Sequence, residues 1–251
     1  MLTVRRASAQ DKEGIAAIWR ASFPQDPEEM ITSFLELVPI EYCFLAEQEG
    51  QAVSMVYSLP ASVDGKPLQY IYSAATLPSH RGHGVFGELL HYVLKVAKDA
   101  GCVGSFLRPA ELSLVNYYAR FGYRPWTYCE RVHGGCGRAV PIAAQSPKAY
   151  AVQRQRWLPH GAVEWPSFLV EYAAQSGVYA TPEAWALCET VGNTLLVKEW
   201  LGEGEPSSLC GALRLAEYEW VRPSASGEVY TMLLSFTNEE LPPPYIGPVF
   251  D

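Results

Sequence analysis

Between residues 68 and 100 a short glycine-rich segment separates two periodicities that belong to different secondary structures. Leu68–Leu77 is an apolar run with aromatic and β-branched residues, the pattern of a buried strand. From Val85 to Lys98 the residues Leu89, Leu90, Val93, Leu94 and Ala97 recur at helical spacing, and Gly101 stands where a glycine ends a helix. The chain must turn from strand to helix through Ser79-His80-Arg81-Gly82-His83-Gly84-Val85-Phe86-Gly87. Glycines at alternating positions let consecutive backbone N–H groups approach one ligand without side chains in the way. The positive end of the helix behind them adds a field that favours an anion. Arg81 supplies a charge-assisted donor. The segment therefore reads as a diphosphate-binding loop built on Arg81, Gly82, His83, Gly84, Val85, Phe86 and Gly87.

The same residues satisfy G-x-G-x-x-G at Gly82, Gly84 and Gly87, so a dinucleotide-binding unit has to be weighed. That motif follows the first strand of a parallel βαβ unit and has an acid at the end of the second strand, about 20 residues on. Here the strands ahead of the loop are joined by turn pairs, Glu49-Gly50 and Asp64-Gly65, which predict an antiparallel meander over Glu41–Glu47, Ala52–Leu59 and Leu68–Leu77. The nearest acid, Asp99, lies at a helix end. Context speaks against the dinucleotide unit, and a third reading, an ordinary loop with glycines for turning, lacks the strand-to-helix logic.

Ahead of the meander, Leu2–Arg6 reads as a strand. Ser8 can cap a helix carrying Ile15, Ile18, Trp19 and Phe23, and a second helix after Pro27 places Met30, Phe34 and Leu37 on one face. Beyond the loop helix, Val103–Leu107 predicts a strand, Ser113–Arg120 a short helix ended by Gly122, and Tyr123–Val132 a strand. Residues 1–133 are thus expected to form one α/β (α+β) domain. Gly134–Pro147 reads as a linker at residues 134–147, and residues 148–251 form a smaller α+β unit. In that unit a helix is expected near Pro166–Gln175, with strands at Glu183–Thr190 and Thr194–Leu201 turning at Gly192-Asn193. A helix from Ser207 to about Ala216 and strands Val229–Phe236 and Tyr245–Phe250 complete it. The order of elements resembles a decayed copy of the first domain.

Composition narrows the partners. The 251 residues carry a net charge of −8, spread over both halves, which argues against nucleic acid and favours approach of a small cationic amine. Apolar runs are too short and too often interrupted by charge to cross a membrane. Met1 is followed by no basic-then-apolar leader, which predicts a cytoplasmic protein. The six cysteines form no CxxC pair and read as buried thiols; Cys129, His133 and Cys136 miss the spacing of a zinc site, so no metal is expected.

A second chemical signal is Asn116-Tyr117-Tyr118-Ala119-Arg120-Phe121-Gly122-Tyr123. Together with Arg81, Gly82, His83 and Gly84 it resembles the GNAT superfamily of N-acetyltransferases. In that family the coenzyme A loop reads Gln or Arg, two residues, Gly, one residue, Gly or Ala, and a later segment reads Leu-Tyr-x-Lys-x-Gly-Phe. Phe86 stands where the family usually keeps a small residue, and Gly87 follows it. The resemblance implies a GNAT fold, with a mixed, mostly antiparallel central sheet flanked by helices, and acetyl-CoA as cosubstrate. Backbone groups of Ala75, Thr76 and Leu77 would face the pantetheine arm and the acetyl carbonyl, Asn116 would help hold the cofactor, and Tyr118 would protonate the departing thiolate. The acceptor it implies is a primary amine on a small molecule or peptide, and a homo-oligomer is compatible with it. A coenzyme A-binding sensor or scaffold without turnover is the alternative.

An ammonium must lose a proton before it attacks, so a base or water path is needed. Glu111, His80, His83 and the carboxylates of Asp251 are candidates. Asp251 enters because the C-terminal extension resembles the enhanced-intracellular-survival type of acetyltransferase, in which the chain terminus serves as the base. In the second unit Gly202-Glu203-Gly204-Glu205 precedes the Ser207 helix, and two acids there would repel phosphate, so one cofactor site per chain is expected. Trp157, Trp165, Trp185 and Trp200 are candidates for lining an acceptor pocket.

Overall fold

The structure of the chain is a computed structural model that describes residues 1–247. It divides into two units. The first comprises Met1–Arg108, Phe121–Tyr123 and Leu233–Leu241; the second comprises Pro109–Arg120, Arg124–Met232 and the residues from Pro242.

In the first unit β1 (Leu2–Arg6), α1 (Lys12–Ser22) and α2 (Glu28–Leu37) precede the meander β2 (Cys43–Gln48), β3 (Gln51–Val63) and β4 (Lys66–Thr76). Then come α3 (Val85–Asp99) and β5 (Gly104–Leu107). Neighbouring strands from β1 to β4 are antiparallel, and β4 pairs with β5 in parallel. A parallel pair needs a crossover, and α3 supplies it. Both hairpin turns are two-residue turns with positive φ throughout, 54° and 80° at Glu49-Gly50 and 48° and 73° at Asp64-Gly65, which matches the twist of the strands they join.

The helix α3 buries Leu89, Leu90, Val93, Leu94 and Ala97, the set its spacing predicts. On α2 the buried residues are Ile31, Phe34 and Leu35, and the expected Leu37 is 38% exposed. Residues 31, 34 and 35 satisfy helical spacing as well as 30, 34 and 37 do; what selects them is packing. Phe34 lies 4.8–5.2 Å from the rings of Trp19, Tyr57 and Tyr72, and that cluster sets which face of α2 turns inward. Between Ser8 and α1 a short 3-10 turn intervenes, where Asp11 accepts the Ser8 N–H at 2.7 Å and pairs with Arg5.

The second unit holds α4 (Ser113–Ala119), β6 (Arg124–Gly135), β7 (Ala143–Ala144), α5 (Pro147–Trp157), β8 (Val163–Glu164), α6 (Ser167–Ala173) and β9 (Val178–Ala180). It continues with β10 (Ala184–Val191), β11 (Thr194–Gly202), α7 (Ser207–Ala212), β12 (Glu217–Ser224) and β13 (Glu228–Ser235), of which the residues up to Met232 group with this unit. Its strands run in the order β6-β12-β11-β10-β9-β7. The pair β11 and β12 is parallel, with α7 as its crossover, so this unit repeats β4-α3-β5 in smaller form.

Besides the short strands β7, β8 and β9, two longer elements escape the sequence reading. The strand β12 is hidden by Pro223 and by three charged residues in eight, and it forms because its whole length pairs with β6 from Tyr128 to Gly135. The helix α5 buries only Tyr150 and Arg154, and a charged residue on the inner face conceals the helical period. The helix expected to Ala216 ends at Ala212, and the expected strand at Tyr245 is irregular as far as Gly247. Hydrogen bonds still fix this last segment: Val163 N–H donates to the Tyr245 carbonyl at 2.8 Å and Trp165 Nε1 to the Ile246 carbonyl at 2.9 Å.

Inside the second unit Arg154 and Glu199 form an ion pair, Nε to Oε2 3.0 Å, with both residues only 2% exposed. Glu199 also accepts the phenols of Tyr150 and Tyr245. Burial, and then the Glu199 charge, pushes both phenols well above their ordinary pKa, so they remain donors. Gly247, at φ 71°, rests on this pair, and a Cβ there would overlap Arg154 Nη2 and Glu199 Oε1.

The cysteines require a correction. Cys136 and Cys210 are joined as a disulfide with their Cα atoms 5.1 Å apart, while Cys43, Cys102 and Cys188 are free. The two partners lie 74 residues apart in sequence, and only the docking of α7 beside the end of β6, sealed by Gly137 N–H on the Ser207 carbonyl at 2.8 Å, brings them together. Among the described residues no helix is long and apolar enough to cross a membrane.

Candidate functional site

The end of β4, the loop after it and the start of α3 form one continuous stretch of the first unit. Gly82 and Gly84 have φ of 80° and 79°, the left-handed conformation that glycine alone adopts without penalty. Residues 81–84 are exposed, and α3 begins at Val85 directly behind them. Its first internal bond runs from the Glu88 N–H to the Gly84 carbonyl at 3.1 Å, so the amides ahead of Glu88 lie outside the helix's own ladder. The loop thus combines exposed residues, no side chain on the two turning positions and a helix N-terminus at its back.

Gly87 lies on the first turn of α3, where a Cβ would make an ordinary contact at 3.5 Å with the Phe121 ring, which packs edge-on against His91, so packing does not demand glycine at this position. Phe86 is half-buried and Val85 buried. Arg81 is exposed, and its Nε donates to the Thr76 carbonyl at 2.9 Å, tying the loop back to the strand.

The strand end is shaped by a bulge. Met55 faces Ala75, but Tyr57 faces Tyr72, so β4 carries an extra residue, and Ser73 takes φ 47° there. On the other edge β4 pairs with β5 only as far as Ile71 opposite Leu107. Leu77 N–H donates to the Val53 carbonyl at 2.9 Å. Paired and unpaired positions alternate along an antiparallel ladder, so Thr76, opposite Ser54, turns its N–H and carbonyl away from β3. Of the three backbone positions expected to face a ligand, Thr76 has its N–H on the open edge, and Leu77 spends its N–H inside the sheet.

Of the remaining candidates, His80 is half-buried with Nδ1 2.9 Å from Ser79 Oγ, and His83 is exposed. Asn116 and Tyr118 lie on α4, Asn116 exposed and Tyr118 8% exposed, and the residues of α4 group with the second unit. Burial pushes the Tyr118 phenol above its ordinary pKa, with the neighbouring Tyr117 adding to the shift, so it stays protonated at neutral pH. Glu111 is exposed and accepts the Ser113 hydroxyl at 3.0 Å. Asp251 lies outside the described residues. Of the four tryptophans, Trp200 lines a cavity of about 50 Å³ in the second unit together with Trp220, Tyr230 and Tyr245. Trp165 belongs to the core, and Trp157 is 41% exposed.

Sequence reasoning missed Ser54. It is fully buried on β3, with its hydroxyl 2.7 Å from the Ala75 carbonyl and 2.8 Å from Thr76 Oγ1. The available signal is a serine inside the apolar run Val53–Tyr57, a position where a buried polar group must find a partner.

The family model for the acetyltransferase (GNAT) domain matches residues 3–126. Among solved structures, a GCN5-related N-acetyltransferase from Anabaena variabilis aligns with TM-score 0.72 and 15% identity over 93% of this chain and 72% of that one. A GCN5-related N-acetyltransferase from Kribbella flavida aligns with TM-score 0.68 and 15% identity over 93% and 70%. Eis1 from Mycobacterium abscessus aligns with TM-score 0.66 and 17% identity over 94% and 73%. At such identities the likeness is one of fold, and it extends through the second unit. Among curated proteins none matches this sequence significantly. An acyl-transferring domain accounts for the strand-loop-helix geometry and for the family match together: residues 3–126 of this chain are an acetyltransferase domain of the GNAT family.

Proposed function

We propose that this chain transfers the acetyl group of acetyl-CoA to a primary amine of a small cationic molecule or peptide. The observation that carries the reading is the exposed pair of left-handed glycines, Gly82 and Gly84, at the start of α3 and next to a strand end whose outer edge has no strand partner beyond Ile71 among the described residues. The diphosphate of coenzyme A fits the loop amides and Arg81. Its pantetheine arm would lie along the open edge of β4, with Thr76 N–H donating to the thioester carbonyl. Asn116 is proposed to assist in holding the cofactor.

In the proposed reaction the amine nitrogen attacks the thioester carbonyl carbon, a C–N bond forms and the C–S bond breaks. The thiolate takes a proton from the Tyr118 phenol, and the amine gives up a proton to a base, for which Glu111, His80, His83 and Asp251 remain the candidates. Holding the two reactants together supplies on the order of 7–11 kcal/mol of the acceleration without any side-chain chemistry. Acetyl-CoA and amines meet in the cytoplasm, which we propose as the place of action.

The test is release of free thiol from acetyl-CoA with a panel of polyamines, aminoglycosides and amino acids, alongside calorimetric titration with coenzyme A. Saturable binding with amine-dependent release is expected. Binding without release across the panel would replace this reading with that of a coenzyme A sensor.

Two substitutions address the loop. Gly84→Val puts a β-branched residue at φ 79°, a conformation that costs a residue with a Cβ about 1–2 kcal/mol. The loop relieves that strain by leaving its conformation and taking its amides with it, so coenzyme A affinity is expected to fall about 5–30-fold by calorimetry. Arg81→Ala removes a charged donor and is expected to weaken coenzyme A by about tenfold, with a smaller loss at high salt.

A further inference from the structure

Three hydrogen-bonding groups at the end of β4 form a directed chain. Ser54 has one hydroxyl proton and two oxygen neighbours. The Ala75 carbonyl at 2.7 Å can only accept, so Ser54 Oγ donates to it and receives the Thr76 Oγ1 proton across 2.8 Å. The chain therefore runs Thr76 hydroxyl to Ser54 hydroxyl to Ala75 carbonyl.

The Ala75 carbonyl and the Thr76 N–H belong to the same planar peptide unit and point in opposite directions, the carbonyl towards β3 and the N–H towards the opposite edge. A donor on the carbonyl polarises the peptide and strengthens its N–H as a donor, an effect of about 10–30% per bond in a hydrogen-bonded chain. It also fixes the tilt of the peptide plane. The ladder that holds this peptide is interrupted by the bulge at Ser73 only two residues earlier, and β5 pairs with β4 only as far as Ile71. Ser54 is fully buried, so water does not compete for its bonds.

We propose that Ser54 is a positioning residue for acyl transfer: its hydroxyl aims and polarises the Ala75–Thr76 peptide so that the Thr76 N–H stabilises the oxyanion that forms on the thioester carbonyl. The inference rests on the proposed use of acetyl-CoA at this site. It assigns to Ser54 an action through the backbone, with no contact to substrate.

The test separates kcat from the KM for acetyl-CoA in Ser54→Ala, with Ser58→Ala as the comparison. Ser58 lies on the same strand beyond the bulge and also loses a side-chain bond, the one it accepts from Gln69 Nε2 at 2.6 Å. Outright loss of an oxyanion donor costs about 10²–10³ in kcat, so a donor that is only weakened and tilted should cost about 3–10-fold. KM is expected to stay within about twofold. Ser58→Ala is expected to leave both constants unchanged. The carbonyl stretch of bound acetyl-CoA should move to higher frequency in Ser54→Ala, a shift that a loss of stability alone does not cause. If Ser54→Ala fails to fold, Thr76→Val interrupts the same chain one group earlier, and a fall in kcat of about threefold is expected. An unchanged kcat in Ser54→Ala, or in Thr76→Val where that variant stands in, overturns the proposal. So does a fall that Ser58→Ala shares equally. A wild-type chain that binds no coenzyme A removes the acetyl-CoA reading itself, whereas an active chain indifferent to Ser54 removes only this role.

Discussion

Replacing Arg154 by methionine is expected to destabilise the second unit by about 3–5 kcal/mol, the cost of leaving a buried carboxylate without its counter-charge. Glu199 is 2% exposed, and its other partners are the phenols of Tyr150 and Tyr245, which donate hydrogen bonds and carry no charge. Arg154 itself cannot escape to water, being 2% exposed, and its Nη2 has no hydrogen-bond partner among the described residues. The pair therefore sits in low dielectric, where removal of one member costs more than removal of both. The double substitution Arg154→Met with Glu199→Gln keeps an acceptor for the two phenols and removes the buried charge, and it should recover at least half of the loss. Urea unfolding followed by tryptophan fluorescence measures both. A single variant as stable as the parent would mean that Glu199 is neutral in the folded chain.

Changing Tyr118 to phenylalanine is expected to lower kcat by about 10²–10⁴-fold while leaving coenzyme A affinity nearly unchanged. The phenol is buried and held above its ordinary pKa, so at neutral pH it has a proton to give and cannot serve as the base. A thiolate that leaves without a proton donor is a poor leaving group towards an amine, and the penalty falls on turnover more than on binding. The assay is amine-dependent thiol release beside calorimetric binding of coenzyme A. Turnover equal to the parent's would assign the proton to water and Tyr118 to the core, where its edge-on contact with Tyr117 at 5.3 Å already gives it a place.

What could be read from the chain alone follows the reach of each signal. The turn from strand to helix was legible because its parts are local: the glycines separate β4 from α3, and α3 starts at Val85 with its buried face as its periodicity requires. The hairpins at Glu49-Gly50 and Asp64-Gly65 were legible for the same reason. Misreadings cluster where a partner distant in sequence decides. The helix α2 turned its face to meet Trp19, Tyr57 and Tyr72, and β12 exists because β6 offers an edge to it. Cys136 found Cys210 across 74 residues.

The candidate site divides along the same line. Residue type and short spacing determined the loop, the helix behind it and the family to which residues 3–126 belong, because φ preferences, helix period and backbone donors are properties of neighbouring residues. Only the tertiary structure decided that β4 bulges at Ser73, that its outer edge opens beyond Ile71 and that Ser54 reaches the Ala75 carbonyl. Strand register is an agreement between two segments, and a shift of one residue exchanges the face and the partners of every side chain along them.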